Sequence, residues 1–487
     1  MNFRNAIFSV AITLSGLLFI SCLIHTAYNE LEDSSSFTDI IQPADLQSDF
    51  LLLRDALDKY HPDLHLYTSK TVMDSLAIDI QKDLDEEMTS IEFFRKLRLL
   101  VSKIKNGHTS IKVQGSFMDW FNNEALILPF AMYPRHDSMF VLVDASNEYT
   151  IQEGATIIRI NDRSVDDLYE DGRRFFPSDG YNLTGPDWNT ARNISLFYSL
   201  AYGNPDIYDI NYIDLDGVQR NAKIKAIAKT KSFENLKDGR PYYKSERGDL
   251  NLNIEEDIAI LTIPSFFPDS ERRFANQLKK MFAKIRNLNI DQLIIDVRGN
   301  GGGYFESAEE VLKYLITEEV QPYKYEYALV DNIKEPHHFV KGDLKHFHRQ
   351  RLVESNSKFY SRADRMVIRP YRNGYQGKIV ILLDQLSASA TADFLGMTKS
   401  YTDAVHIGVE SSGNPVAQVA VELPTLVLPN TGIRVQLPLF RSELNTTFPN
   451  MGRGLIPDVI VEPSVHSILI GEDVQLDKAK AHLINVL

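Results

Sequence analysis

The apolar positions of this chain change period along its length. Through residues 44–106 they recur at intervals of three and four, with Phe50, Leu53, Leu57 and Tyr60 on one helical face. A second helix is predicted to open at Thr89, with Glu92 three residues on completing a capping-box pattern. It continues through Phe93, Leu97, Leu100, Val101 and Ile104, and Gly107 supplies a stop. Thr109 to Val113 then alternates as a strand does. His108 therefore falls on a helix-to-strand junction.

Residues 125–230 read mainly as β. Met139 to Val143 and Ile157 to Ile160 are short apolar runs, and Asn161-Asp162 supplies turn chemistry. Within them, Glu153-Gly154-Ala155-Thr156-Ile157-Ile158-Arg159-Ile160-Asn161 resembles the signature of PDZ domains; a plain β-rich spacer is the other reading. From about residue 250 the period alternates between strand and helix. Ile258 to Ile263, Leu293 to Val297 and Ile379 to Leu383 are the strands. Ser270 to Asn287, Glu306 to Thr317 and a segment beginning near Ala390 are the helices. Such alternation predicts a buried, largely parallel sheet with helices on both faces. Thr425 to Pro438 reads as a hairpin turning at Asn430-Thr431-Gly432.

The first residues follow another rule. One positive charge, Arg4, precedes an apolar run from Ala6 to Ile24, as in an export signal. Cys22, the only cysteine in the chain, ends that run and cannot form an intramolecular disulfide. Small Ser21 before it fits a bacterial lipobox, with lipidation at Cys22; an uncleaved membrane anchor is the alternative. Glu30 to Thr38 reads as a tether. The expected location is the bacterial envelope, as a periplasmic or outer-membrane lipoprotein, or else secreted. A net charge of −14 argues against a nucleic-acid partner, which calls for a basic face.

Two segments carry candidate chemistry. In Leu383 to Phe394 (LDQLSASATADF) a buried strand ends, small residues turn the chain and a helix begins. A serine there stands at the carboxyl edge of the sheet, above unpaired helix amides. An N-cap role for Ser387 or Ser389 is the structural alternative. In Asp296 to Gly303 (DVRGNGGG), four glycines let backbone amides approach an anion. Neither the dinucleotide nor the phosphate-loop pattern is met, because Tyr304 stands where a third glycine belongs and no Gly-Lys-Ser/Thr follows. His337, His338, His346 and His348 match no zinc spacing and read as a solvated loop, while His61 and His65 read as capping or packing.

The strings LIIDVRGNGGG, LSASATADF and GRGLIPDV, in this order, resemble the catalytic core of tail-specific, or C-terminal processing, serine peptidases (family S41). The segment NGHTSI further resembles the branch containing tricorn protease and the interphotoreceptor retinoid-binding modules. The resemblance implies an α+β multidomain chain behind a signal or anchor at 1–22 and a tether at 23–43. A helical bundle at 44–124 and a PDZ-like β module at 125–230 would precede an α/β, ClpP/crotonase-like core at 231–487. It implies hydrolysis of polypeptides without a cofactor or metal, with Ser389 as nucleophile and an oxyanion hole from Ala390 with Gly302 or Gly303. The lysine base of the processing proteases falls on Asn414, which cannot accept a proton. Lys399 lies about 15 Å along its helix from Ser389. In the tricorn-like branch the base falls on His108, and the unperturbed imidazole pKa suits the task. The orienting glutamate falls near Met451, leaving Glu410, Glu443, Asn106 and Asp393 as candidates. An inactive peptide- or hydrophobic-ligand-binding protein on the same fold is the alternative.

Overall fold

A computed structural model describes residues 36–135, 138–146, 148, 150–230 and 250–485. The segment expected to be a leader, Cys22 and most of the expected tether lie outside the described residues. Among the described residues no helix is long and apolar enough to cross a membrane.

The N-terminal periodicity folds as α1 (Pro43–Tyr60), α2 (Lys70–Asp83) and α3 (Ser90–Ser102). The capping box forms at α3, with Glu92 accepting from the Thr89 N–H at 2.8 Å. Phe93, Leu97, Leu100 and Val101 are buried on its inner face. The strand after His108 is only β1 (Ser110–Ile111), but it pairs with Arg434–Gln436, so Ile111 sits opposite Val435. That pairing ties the early histidine segment to the last quarter of the chain.

Thr425–Val427 and Arg434–Gln436 form the expected hairpin. Its turn is clasped by the fully buried carboxylate of Asp49 on α1. Asp49 accepts from the Asn430 and Thr431 backbone N–H groups at 3.2 and 2.8 Å and from the Thr431 hydroxyl at 2.7 Å. Burial raises the Asp49 pKa and these bonds oppose the rise. Asp49→Ala strands buried donors, so a loss of roughly 2–4 kcal/mol is expected in urea unfolding. An unchanged midpoint would mean that the clasp is idle.

In the middle region, β2 (Phe130–Arg135), β3 (Ser138–Asp144), β4 (Thr156–Ile160), β5 (Ile207–Ile213) and β6 (Gln219–Lys225) form an antiparallel sheet in the order β6-β5-β4-β3-β2. The expectation of a mainly β segment misses three helices there: α4 (Val165–Phe175), α5 (Thr184–Arg192) and α6 (Ile194–Tyr202). The signal lay in a second capping box, Ser164 with Asp167, ahead of Val165, Leu168, Tyr169 and Phe175 at helical spacing.

The last region contains β7 (Asn251–Glu255), β8 (Ile258–Thr262), α7 (Glu271–Asn287), β9 (Gln292–Asp296), α8 (Phe305–Leu312), β10 (Lys378–Leu383), α9 (Ala390–Tyr401), β11 (Val405–Gly408), β12 (Val459–Ile460) and α10 (Val474–Asn485). The sheet runs β7-β8-β9-β10-β11-β12, antiparallel at the β7 edge and parallel elsewhere. Both faces are covered. Leu293, Ile295, Ile381 and Leu383 pack on α7 and α9, and Ile294, Val380 and Leu382 on α10. This two-sided burial explains the unbroken apolar strands. The helix expected over Glu306–Thr317 stops at Leu312 and gives way to turns. The architecture is a mixed α+β fold.

Candidate active site

β9 and β10 end side by side, with Asp296 opposite Leu382, and their two loops meet above the sheet edge. Three bonds join the loops. Asp384 accepts from the Gly299 N–H at 2.9 Å, Ala388 donates its N–H to the Asn300 carbonyl at 3.3 Å, and the Ser387 hydroxyl donates to the Val297 carbonyl at 3.1 Å. Gly302, at φ +104°, packs so closely on the serine turn that a Cβ would stand 2.6 Å from the Ser389 Cβ. Only glycine fits that contact.

Ser389 itself has φ 54° and ψ −129°, a strained conformation for a residue with a side chain. A sharp strand-to-helix turn of this kind lifts a hydroxyl above a sheet. Its side chain makes no capping bond to α9, which removes the N-cap reading for Ser389. Instead Ser389 Oγ lies 3.2 Å from His108 Nε2, across 281 positions of sequence. That distance is within reach for proton transfer.

The His108 ring is half-buried, and its Nδ1 is enclosed without a hydrogen-bond partner among the described residues. Burial pulls the imidazole pKa below 6.5, and the negative charge of Asp179 pushes the other way. Asp179 is buried between α4 and α5. It accepts from the Gly107 N–H at 2.8 Å, the Asn106 side-chain amide at 3.3 Å and the Asn414 N–H at 3.2 Å. It is thus bonded to the residue beside His108 and supplies the charge that acts on the ring. Sequence reasoning missed it, because an aspartate in a Pro-Ser-Asp-Gly turn carries no mark beyond turn chemistry.

The acids expected to orient the ring stand elsewhere. Glu410 binds Arg453 Nε at 2.8 Å and also accepts from Asn182 and the Gly454 N–H. Glu443 is held by the Tyr325 hydroxyl and Arg441. Neither bonds to His108, since each is already occupied by a cation of its own loop or strand. Asp393, pushed up to about 7 by burial, pairs with Gln418, whose side-chain amide also donates to the Ser389 carbonyl at 3.0 Å. Asn106 bonds Asp179 and Thr109 rather than the ring.

Asn414 is buried and inward-turned. It caps the Val416 N–H at 3.0 Å and reaches Asn450 at 2.9 Å. Lys399 pairs with Asp458, away from the serine.

The three amides expected to face an anion differ in their partners. The Gly302 N–H is spent on the Asn300 side-chain carbonyl at 2.9 Å. Among the described residues the Gly303 and Ala390 amides donate to no partner, so of the three expected donors these two are free to face an oxyanion. Gly303, at φ +142°, lies so close to Phe266 that a Cβ would stand 2.2 Å from its carbonyl carbon. A hydroxyl, an imidazole and two amide donors in one place can support nucleophilic attack on a carbonyl. Of the histidine cluster, His337 and His338 lie with ring centroids 4.0 Å apart and their planes tilted by 42°, and His346 pairs with Glu422 at 2.7 Å. His61, buried and pulled down to about 3, bonds the Thr109 hydroxyl at 2.8 Å.

Comparison with known proteins agrees with this geometry. Residues 257–461, which hold both glycine and serine loops, match Peptidase family S41. The carboxy-terminal processing protease CtpB of Bacillus subtilis is 31% identical over 136 residues, 25% of this chain and 27% of that protein. The match thus spans about a quarter of that relative's length. Crystal structures of mature CPAF and of its S499A mutant align over 91% of this chain and 98% of theirs, at 14% identity and TM-scores of 0.61 and 0.63. That likeness is one of fold. The family match covers the parallel strands and both of the loops they carry, so this part of the chain, residues 257–461, is similar to peptidase family S41.

Proposed function

We propose that this protein is a serine endopeptidase acting on polypeptides, with Ser389 as nucleophile and His108 as general base. The observation that carries the proposal is the 3.2 Å approach of His108 Nε2 to Ser389 Oγ. Ser389 attacks the scissile carbonyl while His108 takes its proton. The Ala390 and Gly303 amides stabilise the oxyanion, each such donor being worth on the order of 10²–10³ in rate. His108 then protonates the leaving amine, and water hydrolyses the acyl-enzyme. Asp179 holds the imidazole segment and favours the imidazolium that forms. The family's action on C-termini, carried in the name of CtpB, motivates substrates cut near their carboxyl ends. Attachment to the bacterial envelope through Cys22 belongs to this reading on sequence grounds.

A second reading is favoured by Asn414 at the lysine position and by the unpartnered Nδ1 of His108. On it, the cleft binds peptides or hydrophobic ligands without cleaving them. Labelling with a fluorophosphonate separates the two. The peptidase reading expects labelling of the wild-type protein, lost in Ser389→Ala and in His108→Ala. A well-folded wild-type protein that takes up no label would be a binder.

The close fit at Gly302 gives a further expectation. Gly302→Ala must displace Ser389, and misplacement by about 1 Å costs on the order of 10²-fold in rate. Labelling should slow by about that factor while the melting curve stays cooperative. A rate equal to wild type would mean that the two loops are not in contact.

A further inference from the structure

Between α3 and α4 lies a cavity of about 290 Å³, which contains neither Ser389 nor His108 in its lining. Four cationic side chains line it, Arg95, Lys96, Arg98 and Arg174, against two carboxylates, Glu92 and Asp171. In a chain with net charge −14, such a concentration of positive charge is unusual.

The carboxylates are already engaged. Glu92 closes the capping box at Thr89, and Asp171 accepts from Arg174 and from the Tyr202 hydroxyl. Lys96 pairs outward with Asp83. Arg95 gives its Nε–H to the Leu200 carbonyl at 2.6 Å.

Among the described residues Arg98 pairs with no carboxylate. It is 7% exposed and rests against the rings of Phe94 and Phe175, with centroids 5.5 and 5.7 Å from its guanidinium carbon. One terminal nitrogen donates to the Phe175 carbonyl. Its Nε is buried without a partner among the described residues. Burial pulls its pKa down to about 9, which still leaves it charged at neutral pH. A buried cation without a counter-charge is costly, and arginine beside an open cavity presents a fork that matches carboxylate or phosphate.

We propose that this cavity is a binding site for a small oxyanion, a carboxylate or phosphate group, held by Arg98 with Arg95 and Arg174. Phe175 and Tyr202 give it an apolar wall that suits an organic anion. The site joins the two elements that approach the catalytic histidine. α3 runs on to Asn106 and His108, and the Phe175 carbonyl held by Arg98 lies just ahead of Asp179.

The test is a thermal melt of the protein, titrated at constant ionic strength. Sodium phosphate and sodium acetate are the probes and sodium chloride the control. Phosphate, acetate or both should raise Tm in a saturable way, and which one does so distinguishes phosphate from carboxylate ligands. Arg98→Met should remove the saturable shift. Arg174→Gln, a change at a part-exposed position, should weaken it at least threefold and serves if Arg98→Met does not fold. No saturable shift beyond chloride, or an undiminished shift in Arg174→Gln together with Arg98→Met, overturns the proposal. Arg98 would then be a structural residue satisfied by two rings and one carbonyl.

Discussion

Replacing His108 by alanine should lower kcat for peptide cleavage by on the order of 10⁴- to 10⁶-fold, about as much as Ser389→Ala. The two losses should not add in the double variant, because the hydroxyl and the imidazole act as one unit. This follows from the geometry. No lysine stands at the alternative base position, where Asn414 is committed to the Val416 and Asn450 groups. The ring is half-buried and, among the described residues, bonds only to Ser389, so its removal should leave the fold intact. Steady-state kinetics on a fluorogenic peptide, with circular dichroism as the fold control, measures the effect. A His108→Ala variant that keeps a tenth of wild-type kcat would show that another group serves as base.

Asp179→Asn should have the second-largest effect, a fall in kcat of on the order of 10²- to 10⁴-fold. The asparagine keeps the size of the side chain and one acceptor for the Gly107 N–H, and loses both the negative charge and the acceptor for the Asn414 N–H. A merely structural role would lower the rate at all pH values alike. The electrostatic role makes a further demand. Asp179 raises the His108 pKa against the effect of burial. Without that charge the imidazolium is less favoured, and the acid limb of the kcat/KM profile should move to lower pH. A plateau that falls with no movement of the limb would assign Asp179 to packing alone.

Much of this site was legible in the chain. The serine turn is written in a buried strand followed by small residues, and the glycine loop in four glycines after another buried strand. Two-sided burial makes such strands continuous in sequence, and the close approach of Gly302 to Ser389 excludes any side chain there. His108 could be located because a capping box and a glycine bracket its helix. Its meeting with Ser389 could not be read locally, since it depends on the pairing of Ile111 with Val435 and on the Asp49 clasp.

The acid whose charge acts on the ring was illegible for the same reason. Glu410 and Glu443 were both open candidates, yet Arg453 and Arg441 neutralise them in their own neighbourhoods. Asp179 comes from the connection between α4 and α5, in a region whose helices the β-like pattern obscured. Only the tertiary fold brings that turn to Gly107. The choice of Gly303 over Gly302 as an amide donor likewise depends on one side chain, Asn300, turning back on its own loop.

The pH dependence of fluorophosphonate labelling at Ser389 tests most directly whether His108 is the base. Burial lowers the His108 pKa, and the base acts when neutral, so the rate should rise with pH through a single limb centred below 6.5 and then stay level. In His108→Ala that limb should vanish along with nearly all of the rate. A wild-type limb centred well above 6.5, or one that survives in His108→Ala, would contradict the pairing of imidazole and hydroxyl on which the mechanism rests.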